Sequence, residues 1–179
     1  MGEMKQQKGF SLIELLIVVA IILIIAAIAI PNLLRARIAA NESSAVSAIR
    51  TINTSQTAYQ STYPTVGFAG TMLALGPPAA TGCPSTTTPT SSSACLIDWV
   101  LANATAPASP RSGYYFALGI TAGGGVNAAY TVGSIPAALN TTGVRGFCSN
   151  DDGVIRFTAI GNTAPVTTNA ACSAYTLLQ

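Results

Sequence analysis

Lys8-Gly9-Phe10-Ser11-Leu12-Ile13-Glu14 opens onto an unbroken apolar run from Leu15 to Ile30. Between Phe10 and Leu34 the only charged side chain is Glu14. About 20 predominantly apolar residues suffice for a helix to cross a bilayer, so this segment is long enough to span. A carboxylate in such a helix costs about 2.5–3.5 kcal/mol at mid-bilayer and less near an end. Glu14 is therefore expected to have a partner. The bland rival is a secretory signal peptide, with a basic stretch from Lys5 to Lys8 and a small-residue cleavage site at Ala27-Ile28-Ala29. Against it stand the length of the apolar run, the carboxylate at its start, and a helical pattern that continues past the cut.

Working outward, the helix is expected to run from about Phe10 to Thr62. Its first half is apolar all round, and its second half is amphipathic. Ile38, Ala45, Ile49, Ile52, Tyr59 and Tyr63 follow a 3.5-residue rhythm, while Arg37, Ser44, Ser47, Arg50 and Asn53 occupy other faces. Pro64 ends the helix, because the residue before a proline is pushed out of the helical region. At 1.5 Å per residue the whole would reach about 80 Å, longer than a bilayer is thick. Pro31 removes one backbone hydrogen bond inside it, so a kink or local unwinding is expected there.

The rest of the chain reads as loop and then strand. Gly76-Pro77-Pro78 and the stretch 81–93 are low in complexity, and Cys95 to Leu101 is a short apolar segment, helical turn or strand. Gly113 to Thr121 and Val126 to Val132 flank Gly123-Gly124-Gly125. Val144 to Ser149 and Val154 to Ile160 flank Asn150-Asp151-Asp152-Gly153. An antiparallel meander of three or four strands follows, giving an α+β fold with an amphipathic helix laid on a sheet.

Charge is scarce: 8% of residues are Asp, Glu, Lys or Arg, against roughly 25% in ordinary soluble proteins. Such a surface exerts no strong pull on nucleic acid or acidic lipid. The four cysteines, Cys83, Cys95, Cys148 and Cys172, read as two disulfides in an oxidising compartment, with three connectivities open. Nearest-neighbour pairing, Cys83–Cys95 and Cys148–Cys172, is favoured because each closes a local loop. A four-thiolate zinc site is the alternative, although it lacks close pairs such as C-x₂-C. The cysteines also place the C-terminal part outside the cell and the basic leader in the cytoplasm, a choice that Lys5 and Lys8 against Arg35 and Arg37 barely decides.

The N-terminal residues resemble the prepilin signature of type IV pilins and of the pseudopilins of type II secretion systems. The likeness covers a basic leader, Gly9 before the aromatic Phe10, Glu14 five residues into the mature chain, and the apolar helix with Pro31. It implies cleavage between Gly9 and Phe10 by a prepilin peptidase and N-methylation of Phe10. It also implies that Glu14 faces the terminal amine of a neighbouring subunit during assembly. The implied layout is a leader at 1–9, a transmembrane and assembly helix at 10–34, an amphipathic helix at 35–63 and a β-rich head at 64–179. This is the pilin fold, with a C-terminal disulfide loop. The partners implied are further copies in a helical filament, the membrane before assembly, and an inner-membrane assembly platform.

No catalytic constellation is legible. The chain has no histidine, the commonest general base and metal ligand. Asp98, Asp151 and Asp152 are the acids beyond residue 63, and the adjacent pair reads as turn-forming. Asn150, Asp151 and Asp152 could imitate part of a calcium loop but are short of ligands. Gly123 to Gly125 lacks the lysine and helix start of a phosphate loop. Neither cofactor nor metal is expected. Asn-x-Ser/Thr sequons at Asn41, Asn53, Asn103 and Asn140 are chance products of a Ser/Thr-rich chain. The function expected is a pilus subunit. The alternatives are a secretion pseudopilin, a minor tip pilin, and, from another class, a monomeric membrane-tethered periplasmic binding module.

Overall fold

The computed structural model describes residues 10–83, 88–159 and 163–178. Helix α1 spans Leu12–Thr62, 51 residues without a break in its helical assignment. The backbone stays α-helical on both sides of Pro31, so the expected local unwinding is not present. The missing amide of a proline is tolerated where neighbouring turns hold the helix. The chain divides into two compact units, one ending at Ala36 and the other beginning at Arg37.

In the first unit the apolar residues are turned outward. Leu12, Ile13, Ile24, Ile28 and Ile30 are each more than 60% exposed. The most apolar window of this helix has a mean hydropathy of 3.3 and none of it is buried. The helix is thus long and apolar enough to cross a membrane, and an apolar surface of this extent marks a membrane or a protein contact.

The second unit is an α+β head. Its sheet is a five-stranded antiparallel meander in the order β1-β2-β3-β4-β5, comprising Tyr114–Gly123, Val126–Pro136, Gly146–Asn150, Ile155–Thr158 and Thr176–Leu177. The first four strands match the sequence expectation. The fifth, two residues long, carries too few residues for an alternation to register. Gly124 and Gly125 form the β1–β2 turn with φ of 63° and 86°, the doubly positive backbone that a two-residue hairpin of matching twist requires.

Residues beyond Ala36 in α1 lie over one face of the sheet. Ala45, Ile49, Ile52 and Tyr59 join Tyr114, Phe116, Tyr130, Val132 and Phe147 in one core. Asn53 ties the layers together, donating to Ser149 Oγ at 2.9 Å and accepting from Tyr130 Oη at 3.1 Å. Between helix and sheet the chain forms two short helices, α2 (Met72–Leu75) and α3 (Trp99–Asn103). The segment from Cys95 therefore resolves as a loop leading into a helical turn. Asp98 caps α3 by accepting from the Leu101 amide and pairs with Arg111 at 2.7 Å.

The opposite face is covered by the C-terminal segment. Residues 163–168 lead into α4 (Asn169–Ser173), and Tyr115, Ile135, Cys148 and Cys172 are buried beneath. Both disulfides join sequence neighbours, Cys83–Cys95 and Cys148–Cys172. The strap fits because the sheet is bare where it crosses. A Cβ on Gly119 would collide with the Thr167 carbonyl, and one on Gly133 with the backbone of Val166.

Candidate assembly segment and helix–sheet clamp

Phe10 precedes α1 and is exposed, while its partner in the expected cleavage, Gly9, lies outside the described residues. Ser11 is the residue before the helix and Glu14 its third helical position. The Ser11 amide donates to Glu14 Oε2 at 3.0 Å. This is half of a capping box, in which a Glu or Gln at the third helical position reaches back to an orphan N–H at the helix start. The signature Ser-x-x-Glu is legible in the sequence, at the start of the apolar run. Glu14 thus has a local duty within its own chain. Pro31 sits seventeen positions further along the same helix, exposed like its neighbours. Nothing in the geometry brings Pro31 and Glu14 together.

In the head, the residue that sequence reasoning missed is Glu42. Its side chain is 7% exposed and pairs with Arg145 Nη2 at 2.6 Å. Oε2 also accepts from Arg145 Nε at 2.8 Å, and Oε1 accepts from the amides of Val144 and Arg145 at 3.0 and 3.1 Å. Burial pushes the Glu42 carboxyl up, but the Arg145 guanidinium and the two amides outweigh it and hold the group below its ordinary value. Beside it in the sequence, Asn41 Nδ2 donates to the Thr142 carbonyl at 2.8 Å. Together they clamp α1 to the β2–β3 connection.

Gln56 does similar work nearer the helix end. Its amide both donates to and accepts from the backbone of Ala69, at 3.1 and 2.8 Å. A signal for both residues existed. The stripe 38, 45, 49, 52, 59, 63 has two seven-residue gaps, and Glu42 and Gln56 fill them at the 4-3 spacing of the rest. Being polar, they do not register in an apolar pattern. Tyr59 belongs to the buried stripe, yet its hydroxyl donates to the Ser91 carbonyl, so it supports the loop closed by Cys83–Cys95 rather than the sheet alone.

In the Asn150–Gly153 turn, the side chains of Asn150 and Asp152 are already engaged. Asn150 accepts from Thr131 Oγ1 and donates to Ser173 Oγ. Asp152 pairs with Arg156 at 2.6 Å and accepts from the Val154 amide. The Arg156 guanidinium holds the Asp152 carboxyl below the usual carboxylate range. Three of the four sequon asparagines, Asn41, Asn53 and Asn103, donate their side-chain amides inside the fold.

Comparison with known proteins bears on the N-terminal unit. The prokaryotic N-terminal methylation motif matches residues 4–30. The type IV wide pilus major component PilA4 of Thermus thermophilus is 65% identical over 40 residues, which are 22% of this chain and 30% of that protein. The match therefore spans less than a third of the relative's length. No solved structure matches the chain significantly. The N-terminal segment thus carries the prokaryotic methylation motif and resembles a type IV wide-pilus component, and the long helix packed on an antiparallel sheet with a C-terminal disulfide is a pilin-like α+β fold.

Proposed function

We propose that this protein is the structural subunit of a type IV pilus, held in the inner membrane by residues 10–34 and polymerised through that helix. The observation that carries the reading is the unburied apolar first half of α1, most of which lies within the methylation motif. Each large apolar side chain taken from water gains about 1.5–3 kcal/mol, so this surface demands lipid or copies of itself. A prepilin peptidase cuts between Gly9 and Phe10 and methylates the new amine. The membrane holds the head outside the cell, and an assembly platform moves the helix from lipid to a growing bundle of like helices. The role is structural rather than catalytic. A pseudopilin would use the same helix in a periplasmic filament; two cysteine pairs and the long loop before β1 favour the surface pilus.

Glu14 selects register in this scheme by meeting the Phe10 amine of a neighbouring subunit, while apolar burial supplies affinity. Glu14→Gln keeps the capping hydrogen bond and removes the charge; Glu14→Val removes both. Both variants are expected to be cleaved and retained in the membrane. Breaking a buried pair costs about 3–5 kcal/mol, so filament in sheared surface fractions should fall more than about a hundredfold in each. Normal pili from Glu14→Gln would assign the residue to capping alone. A wild-type chain that yields no polymer in the surface or periplasmic fraction would favour the membrane-tethered binding module.

A further inference from the structure

The head carries a groove and a turn that complement each other and do not meet within one chain. The groove encloses about 510 Å³ beside α1, and its walls include Glu42, Val46, Arg50, Arg145, Phe147 and Leu178. Val46 and Leu178 pack against the core from its edge and are only partly buried, which gives the groove an apolar side next to Ser43 and Ser47. Glu42 and Arg145 neutralise one another. Arg50 is exposed, and among the described residues no carboxylate pairs with it. The trough is therefore mixed in polarity, with an apolar side at Val46 and Leu178 and one uncompensated positive charge at Arg50.

The β3–β4 turn has the reverse character. Asp152 is engaged by Arg156, whereas Asp151 is exposed and pairs with no cation among the described residues. Val154, three residues on, is 42% exposed. Strand β3 passes Asn53 at Ser149 after passing Glu42 at Arg145, so the turn continues beyond Asn53, away from Arg50. Groove and turn are two different patches of one surface.

We propose that the β3–β4 turn of one copy docks in this groove of the next copy, with Asp151 meeting Arg50 and Val154 meeting the apolar side formed by Val46 and Leu178. The proposal rests on the polymer reading and names a head contact that the N-terminal helix does not supply. A contact between two unlike patches propagates into an open filament instead of closing a dimer. In a chain so poor in charge, a single complementary pair fixes register by rejecting like-charged placements.

The test is a charge exchange in the full-length chain, read as filament recovered by shearing. Arg50→Glu and Asp151→Arg are each expected to lower recovery about tenfold, and the double variant to restore at least about half of it. The milder pair Arg50→Gln and Asp151→Asn repeats the measurement without a reversed charge. Protease resistance of the membrane-held subunit shows that each head remains folded. Single variants at wild-type levels, or a double variant no better than the singles, overturn the contact. Those results leave the polymer reading intact, whereas a wild-type chain without filaments removes both.

Discussion

Glu42 concentrates more of the head's polar bonding than any other side chain described, joining one helix position to two backbone amides and a guanidinium. Its removal leaves Arg145 and both amides without their acceptor at a place water reaches only in part. Glu42→Ala is expected to destabilise the head by about 2–4 kcal/mol, the lower end reflecting the half-exposed Arg145. Chemical denaturation of the detergent-solubilised full chain measures it; a change under about 0.5 kcal/mol, typical of an ordinary surface site, would refute the clamp. The pH dependence has a definite sign. The folded carboxyl titrates below its ordinary 4.5, so the stabilisation is complete above that value and vanishes as pH falls through the lower, folded value. The variant should therefore lose the acid sensitivity that the parent shows there. The clamp itself was only half legible in the sequence. The 3.5-residue rhythm marked positions 42 and 56 as inward, but a partner at Arg145, about a hundred residues away, leaves no local trace.

Elements with a strong period or a strong turn were readable: α1 from its apolar rhythm and Pro64, four strands from the segments flanking Gly123-Gly124-Gly125 and Asn150 to Gly153. The strap at 163–168 was not readable, because nothing in its own residues tells which strand it crosses. Its address is written on the sheet, in the missing side chains of Gly119 and Gly133. With Ala117 opposite Gly133 in the β1–β2 register, these residues form a shallow lane on the outer face. Gly133→Val is expected to lift residues 163–168 while sparing the helix-side core, which faces the other way. Overpacking of this kind costs about 1–3 kcal/mol. Hydrogen exchange should show faster exchange along the strap with little change at Phe116 and Val132. Uniform acceleration across the sheet would mean that strap and core unfold together. The Cys148–Cys172 link restrains the same segment, contributing about 3 kcal/mol through a loop of 24 residues, so the strap should stay near the sheet even when lifted.

At the scale of the molecule, charge and apolar surface are partitioned so that each unit suits a different neighbour. The head's acids are largely absorbed in internal pairs with Arg111, Arg145 and Arg156, leaving a nearly neutral exterior able to sit against copies of itself. Among the described residues the apolar window of the N-terminal unit is unburied, and the Glu14 carboxylate bonds the helix start. Which neighbour that surface takes depends on where the chain is cut, and the two processing routes leave opposite molecules. Cleavage between Gly9 and Phe10 removes Lys5 and Lys8 and retains the whole apolar helix. Cleavage after Ala29 discards the helix and releases a monomeric head. Intact mass of the exported product separates them. The expected species begins at Phe10, is one methyl group heavier than the plain peptide, and is four hydrogens lighter for its two disulfides. A product starting near Ile30 would lack the exposed apolar run from Leu12 to Leu34 and would end the pilus reading.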